Sequence, residues 1–157
     1  MAIPKTIEGR EYNKFVESPT RGNGFDAVEI VVGNVDEIVS AITGGENVDI
    51  ADGNISAVRA IYKTVNGVKL ADDNTSYSEA SVIGVSITGA LSGDSVKYKT
   101  IGKLNDSSFS FPVNDPIYLG SNGALTNTPP TIGFRTLIGT SNGLGEIQIN
   151  IQEPIII

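Results

Sequence analysis

The sequence predicts a mainly β protein, either an antiparallel β-barrel or a sandwich, and three observations support this prediction. Short runs of Val, Ile, Thr, Tyr and Phe recur over residues 55–152, separated by Asp-Gly, Asn-Gly and Ser-Gly turns, as is typical of strands joined by hairpins. Helical periodicity is confined to one short segment before them, which argues against a doubly wound parallel sheet. A hairpin pattern also occurs twice along the chain.

The first 24 residues predict an extended N-terminal arm. They show little periodic apolar pattern and are interrupted by two prolines and a glycine-containing run. Four cations and three acids give residues 1–24 a charge of +1, within a chain whose total is −7. The segment is either a frayed terminus or an arm that docks on an acidic neighbour or on another copy. In the second case its cations are the candidate attachment residues: Lys5, Arg10, Lys14 and Arg21.

Residues 25–60 predict a strand-helix-strand segment that packs on the body of the protein. The run FDAVEIVV at 25–32 indicates a strand that is closed by Gly33. Asn34 is a good N-cap, and apolar residues then recur at helical spacing until Gly44 and Gly45. One short helix is therefore expected near residues 34–43, and packing of its apolar stripe against a sheet is needed to stabilise it.

Residues 61–157 predict the main β module. Alternating or β-branched runs are bounded by turn residues throughout this region. The predicted strands, the first of which starts just before the module, are 55–64, 67–71, 81–88, 95–101, 116–120, 134–140 and 146–152.

An internal repeat divides this module. The segment IYKTVNG at 61–67 recurs as IYLGSNG at 117–123, with four of seven positions identical. VIGVS at 82–86 likewise corresponds to LIGTS at 137–141. Each unit reads as a strand, an Asn-Gly turn, a returning strand and an Ile-Gly strand, because Asn-Gly suits tight hairpin turns with positive φ. Two such units are expected to pair into one compact body.

Composition excludes several classes of function. The chain has no Cys and no His, which excludes disulfides, thiol or imidazole catalysis, and the usual zinc and haem sites. A net charge of −7 and a pI near 4.5 make nucleic acid and anionic membranes poor partners. No apolar run approaches the roughly 20 residues of a membrane span, and the N-terminus lacks a signal-peptide core. Assembly in a cytoplasm is therefore expected.

The carboxylates do not form a recognisable catalytic or metal-binding pattern. Asp49 and Asp52 lack the spacing and the closing Glu of a calcium loop, and Asp72 and Asp73 lie in a polar loop. A nucleophilic serine would have no activating base, and the glycine-rich run at 139–145 lacks the lysine of a phosphate-binding loop. We therefore expect no enzyme activity, no metal and no cofactor.

The order of several short motifs resembles that of small virion proteins of tailed bacteriophages, the capsid decoration (cement) and head-fibre proteins. The motifs are SGDSV at 92–96, PIYL at 116–119, NGALT at 122–126, IG at 138–139, IQINI at 147–151 and PII at 154–156. The resemblance covers residues 61–157 and does not extend to residues 1–54. It implies a non-enzymatic β protein, often a homotrimer, that binds the major capsid protein on the outer surface of the virion and stabilises the shell.

Similar β modules also occur in tail-tip and fibre proteins, so a carbohydrate-binding module for the host surface is the alternative function. The loop at 70–79 is the best candidate for such a contact, through Asp72, Asp73 and Tyr77. The apolar C-terminus is a further candidate site, because three free isoleucines are expected to be buried somewhere. Ile155, Ile156 and Ile157 are therefore predicted to lie at a subunit contact or to close the sheet.

Overall fold

The computed structural model describes residues 45–157, which form a mainly β body of antiparallel sheets. This confirms the predicted fold class and its sandwich-like form. The predicted arm at 1–24, the strand at 25–32 and the helix at 34–43 lie outside the described residues, and so do the four arm cations. The division into arm, middle segment and β module stays a prediction.

Twelve strands, one helical turn and one 3-10 turn make up the described body. The strands of the first half are β1 (Glu46–Ile50), β2 (Ala60–Lys63), β3 (Val68–Leu70), β4 (Val82–Ser86) and β5 (Ser95–Lys99), with helix α1 (Tyr77–Ala80) between β3 and β4. The second half contains β6 (Ile101–Asn105), β7 (Pro116–Leu119), β8 (Leu125–Thr126), β9 (Phe134–Arg135), β10 (Leu137–Gly143), β11 (Glu146–Asn150) and β12 (Ile155–Ile156), with a 3-10 turn at Ser121–Gly123.

The two halves have the same sheet topology, which confirms the internal repeat. The first sheet has the order β1-β5-β4-β2-β3, and the second has the order β6-β11-β10-β7-β8. Strands β9 and β12 form a separate two-stranded ribbon and belong to neither sheet. When the remaining five strands of each half are counted from one to five along the chain, both sheets have the order 1-5-4-2-3. The repeated sequence segments therefore mark part of a repeated five-stranded unit.

Strand register is also repeated between the halves. In each half, the Ile-Tyr pair of β2 or β7 faces the strand that contains the Ile-Gly motif. The isoleucine lies opposite the glycine of that motif, and the tyrosine lies opposite the residue just before the motif. In both halves a bulge skips the isoleucine between these two pairs. The pairs are Ile61 with Gly84 and Tyr62 with Val82 in the first half, and Ile117 with Gly139 and Tyr118 with Leu137 in the second.

Contacts between β1 and the β2–β3 hairpin curl the first sheet. Ala51 forms a parallel bridge with Val68, and the Asp52 N–H donates to the Val68 carbonyl at 2.7 Å. Gly67 at the hairpin turn has φ +152°, and a Cβ there would collide with the Ile50 carbonyl oxygen. The equivalent Gly123 lies instead against Ala60 of the first half, where a Cβ would be 2.5 Å from the carbonyl oxygen. The second hairpin thus docks across the repeat boundary.

Two apolar clusters form the core. The larger one contains residues of both halves, among them Val85 of β4 and Ile117 of β7. The smaller one lies within the first half and includes Ile61 and Val96. Because the larger cluster draws on both sheets, the halves stabilise each other and are expected to unfold together.

Several elements of the described region were not predicted. Strands β1 and β6 were not predicted as separate elements, and the loop predicted at 70–79 contains most of α1. Strand β8 is the returning strand of the second repeat unit, for which no residue range was predicted. Ser76 caps α1, because its side-chain oxygen accepts the Glu79 N–H at 3.2 Å. The pattern Ser-x-x-Glu at 76–79 is a capping-box signature that indicates such a turn.

Acid is expected to weaken the closure of the first sheet. The hydrogen bond from Lys63 lowers the pKa of Asp49 below its usual 3.8. A lowered folded pKa adds stability above pH 3.8, and this stability is lost as the pH falls through the folded pKa. Lys63 is exposed and Asp49 is half-buried, so solvent screens the pair and Asp49→Asn should cost at most about 1 kcal/mol at neutral pH.

Chemical unfolding as a function of pH measures this contribution. We expect the difference in unfolding free energy between the wild type and Asp49→Asn to shrink below pH 3.8. Asp94→Asn is the control for the change in net charge, because Asp94 is exposed and forms no ion pair within residues 45–157. A difference that stays constant down to complete acid unfolding would contradict the role of Asp49.

Candidate functional site

The structure brings two sets of predicted site residues together on one side of the body. Loop 72–76, helix α1, ribbon β9–β12 and the C-terminal tail 153–157 are joined by hydrogen bonds and ring contacts. We call these four segments the C-terminal face. Loop residues Asp72, Asp73 and Tyr77 and tail residues Ile155, Ile156 and Ile157 therefore belong to one surface.

The two aspartates of the loop are engaged in contacts within the fold. The Asp72 carboxylate accepts the N–H of Asn74 at 3.0 Å and, across the repeat boundary, the N–H of Asn122 at 3.0 Å. Asp73 accepts the Ser121 hydroxyl at 3.4 Å, and its carbonyl accepts the Phe134 N–H at 2.8 Å. Aspartates in turns commonly bind backbone N–H groups in this way. Both residues thus hold the 72–76 loop against the second half.

Tyr77 is fixed at the edge of the C-terminal face and remains 47% exposed. Its hydroxyl donates to a carboxylate oxygen of Glu153 at 2.8 Å, and its ring meets Phe134 edge to face, with centroids 6.1 Å apart. The hydrogen bond to Glu153 is the main cause that raises the pKa of Tyr77 above 10.0, with burial second and the negative charge of Glu153 third. The ring therefore presents an immobilised aromatic surface.

The tail forms an edge strand that leaves its isoleucines exposed. Ile155 and Ile156 of β12 pair with Arg135 and Phe134 of β9, and the Ile157 N–H donates to the Gly133 carbonyl at 3.1 Å. The three isoleucines are 61%, 74% and 40% exposed in that order, and Ile132, beside Gly133, is 64% exposed. The tail therefore pairs with neither five-stranded sheet, and its apolar side chains are only partly covered by the described residues.

A hollow of about 450 Å³ lies beside the tail. Ile155, Leu137, Tyr118 and Arg135 contribute to its walls. The guanidinium of Arg135 donates to the Pro130 carbonyl at 3.3 Å, while its Nε is buried without a partner in the described region. The C-terminal face thus combines protruding isoleucines with a neighbouring concave surface.

A cleft of about 530 Å³ lies beside Tyr77, lined by residues of both halves, and we call it the inter-repeat cleft. The start of β4 forms one wall, and the end of β11 with the start of the tail forms the other. The Thr100–Ile101 junction of β5 and β6 also contributes to its lining. The sequence analysis missed this cleft, because its residues are far apart in the chain. Its polar lining residues are Tyr77, Ser81, Thr100, Asn150, Gln152 and Glu153.

Residues 45–157 contain neither a metal-binding cluster of acidic side chains nor a membrane-spanning helix. This region contains no group of three or more acidic side chains placed to hold a metal ion. None of its helices is long and apolar enough to cross a membrane.

Comparison with known proteins finds similarity to solved structures but not to families or curated proteins. No protein-family profile matches the chain, and no curated protein is significantly similar to it. A similar solved structure is the crystal structure of the head fiber gp8.5 N base of bacteriophage phi29, at 15% sequence identity and a TM-score of 0.43. The similarity covers 71% of this chain and 97% of that chain. A similarity at this level assigns no function to the present chain.

Proposed function

We propose that this protein is a structural component of a tailed-bacteriophage virion, a decoration (cement) or head-fibre protein. In this role it binds the major capsid protein on the outer surface and stabilises the shell. The motif order in residues 61–157 supports the proposal, and the motifs from PIYL to PII fall on strands, turns and the tail of the second half. We propose neither catalytic activity nor binding of nucleic acid or membranes.

The exposure of the C-terminal isoleucines is the observation that most directly supports an assembly role. Burying a large apolar side chain yields about 1.5–3 kcal/mol, so Ile155, Ile156 and Ile157 gain stability from a partner surface. The hollow beside the tail offers such a surface on another copy. A tail that fits into its neighbour's hollow makes a head-to-tail contact, which closes into a ring when the rotation between subunits permits. The resemblance of residues 61–157 to phage decoration proteins favours a ring of three. We therefore propose a homotrimer joined through the C-terminal face.

Shell stabilisation then follows from multivalency. Each subunit of a trimer brings one N-terminal arm with Lys5, Arg10, Lys14 and Arg21. Three tethered arms bind with a high effective concentration, so individually weak contacts give firm attachment. The net negative charge of the chain favours solubility at high copy number.

Replacing Ile155, Ile156 and Ile157 together by Ser is expected to convert the oligomer into a monomer. The backbone pairing of β12 remains possible, and exposed side chains contribute little to the fold, so each change should alter stability by no more than about 0.5 kcal/mol. Sedimentation velocity measures the oligomeric state, and thermal unfolding checks the fold. Leu91→Ser and Leu144→Ser are matched controls, because both leucines are exposed outside the C-terminal face.

Binding to purified shells that lack the protein tests the proposed location. We expect the wild type to co-sediment with shells and a chain lacking residues 1–24 to stay folded without binding. An oligomer that survives the triple Ser substitution argues against the C-terminal contact. Shell binding without the arm argues against the arm, and a wild type that binds no shell argues against the function.

A carbohydrate-binding module of a tail tip or fibre is the second candidate function. The observation that favours it is the inter-repeat cleft, where fixed Tyr77 adjoins amide and carboxylate side chains. Other sugar-contacting modules likewise combine an aromatic surface with hydrogen-bonding groups.

A further inference from the structure

We propose that the inter-repeat cleft is a binding site for an uncharged saccharide. This inference rests on the second candidate function, whose ligand class it names, and it concerns a site separate from the proposed shell contacts. Its volume of about 530 Å³ lies within the roughly 300–1,000 Å³ of ligand sites and suits a short oligosaccharide.

Unused hydrogen-bonding groups point to a polyhydroxylated ligand. The side-chain amide of Asn150 is exposed and has no partner within residues 45–157. Gln152 donates to the Asn150 carbonyl at 3.3 Å, which leaves its own side-chain oxygen available as an acceptor. Glu153 uses one oxygen for Tyr77 and keeps the other. The cleft thus offers both donors and acceptors. A polyhydroxylated ligand needs both, because each hydroxyl can donate and accept a hydrogen bond.

Tyr77 supplies the apolar part of the site. Phe134 and Glu153 hold its ring, so little conformational freedom is lost when a ligand packs against it. The C–H faces of a sugar ring are apolar and can pack on this ring, while the sugar hydroxyls reach the amides. An amphipathic aromatic side chain of this kind suits a ligand with one apolar face and polar edges.

The negative charge of the cleft is expected to discriminate between neutral and anionic saccharides. Glu153 is the charged residue of the cleft lining, and the whole chain has a charge of −7. A uronic or sialic acid would place a second carboxylate near Glu153, and like charges at short distance repel. The cleft is therefore expected to prefer neutral sugars over anionic ones.

Titration of the isotope-labelled full chain tests the proposal. The probes are maltotriose, chitotriose and galactobiose as neutral saccharides, with sialyllactose and tri-galacturonate as anionic ones. We expect at least one neutral probe to shift the backbone amide signals of Thr100, Ile101 and residues 150–153, with the anionic probes binding at least about tenfold more weakly, ~1.4 kcal/mol.

Substitutions locate the site. Asn150→Ala is expected to raise the Kd for the bound saccharide about tenfold. Asn105→Ala should leave it unchanged, because Asn105 is also exposed but lies at the other end of the β6–β11 ladder. Asn150 is exposed, so both variants should fold, and the spectra verify this. No shift with any neutral probe, shifts confined to another surface, or unchanged binding by Asn150→Ala would each overturn the inference. Equal binding of anionic probes would overturn its charge selectivity.

Discussion

Gly139→Ala is expected to remove a large part of the unfolding free energy of the described body. Gly139 lies in the buried centre of β10, and a Cβ there would collide with the Gln148 carbonyl of β11 and lie 3.1 Å from the Cα of Ile149. The obstacle is backbone, which cannot move without breaking the β10–β11 ladder. We expect a loss of about 3 kcal/mol or more, from a total that is typically 5–15 kcal/mol.

Urea unfolding and the amide spectrum measure this effect. Gly120→Ala is the matched control, because Gly120 also has an extended backbone, φ −118°, and its added Cβ would meet Thr126 at an ordinary 3.5 Å. The control should differ from the wild type by less than about 1 kcal/mol. Similar stability of the two variants would show that the sheets do not pack as described.

Ile117→Ala is expected to destabilise both halves together by about 2–5 kcal/mol. Ile117 is fully buried in the larger apolar cluster, which also contains Val85 and Ala60 of the first half. Removing its side chain loses transfer energy and leaves a cavity. Because the cluster joins the sheets, residues 45–157 should still unfold in one transition at the lower midpoint.

Calorimetry combined with residue-resolved hydrogen exchange distinguishes the possibilities. Ile132→Ala removes the same atoms from an exposed position and should change stability by no more than about 0.5 kcal/mol. Separate transitions for the two halves, or protection lost in the second half alone, would contradict a shared core.

Much of the fold could be predicted from the sequence because glycine-containing motifs recur at equivalent positions of the two repeat units. Asn-Gly and Ile-Gly mark the positions where a hairpin turns and where a strand comes close to its neighbour. At Asn122-Gly123 both φ angles are positive, as predicted, whereas at Asn66-Gly67 only the glycine has positive φ. All seven strands predicted within residues 45–157 have an observed counterpart.

The missed strands depend on their partners. β1 has the sequence ENVDI, with two acids among five residues, and its β structure comes from cross-strand pairing with β5, where Glu46 lies opposite Lys99 and Val48 opposite Lys97. The predicted strand 95–101 spans the end of β5 and the first residue of β6, which belong to different sheets. Before Thr100 the chain pairs with β1 and β4, and after it the chain pairs with β11. No local pattern reports a change of partner.

The candidate sites were predicted only in part. Tyr77 and the isoleucine tail stand out individually, as a tyrosine in a polar loop and as an apolar terminus. Their contact through Glu153 joins residues 76 positions apart. Asn150 gives no sequence signal, because an exposed asparagine at the end of a strand is common and only the fold places it with Tyr77 in the lining of one cleft.

The identical strand order of the two halves creates a kinetic hazard during folding. Each hairpin has two sheets of matching topology to join, and exchange between similar units is a characteristic misfolding route of repeat proteins. The two hairpin turns pack against different partners, Gly67 against Ile50 and Gly123 against Ala60. Each hairpin therefore fits only its own position in the fold. Divergence between the two repeat units is thus expected to protect the refolding chain from swapped, entangled products.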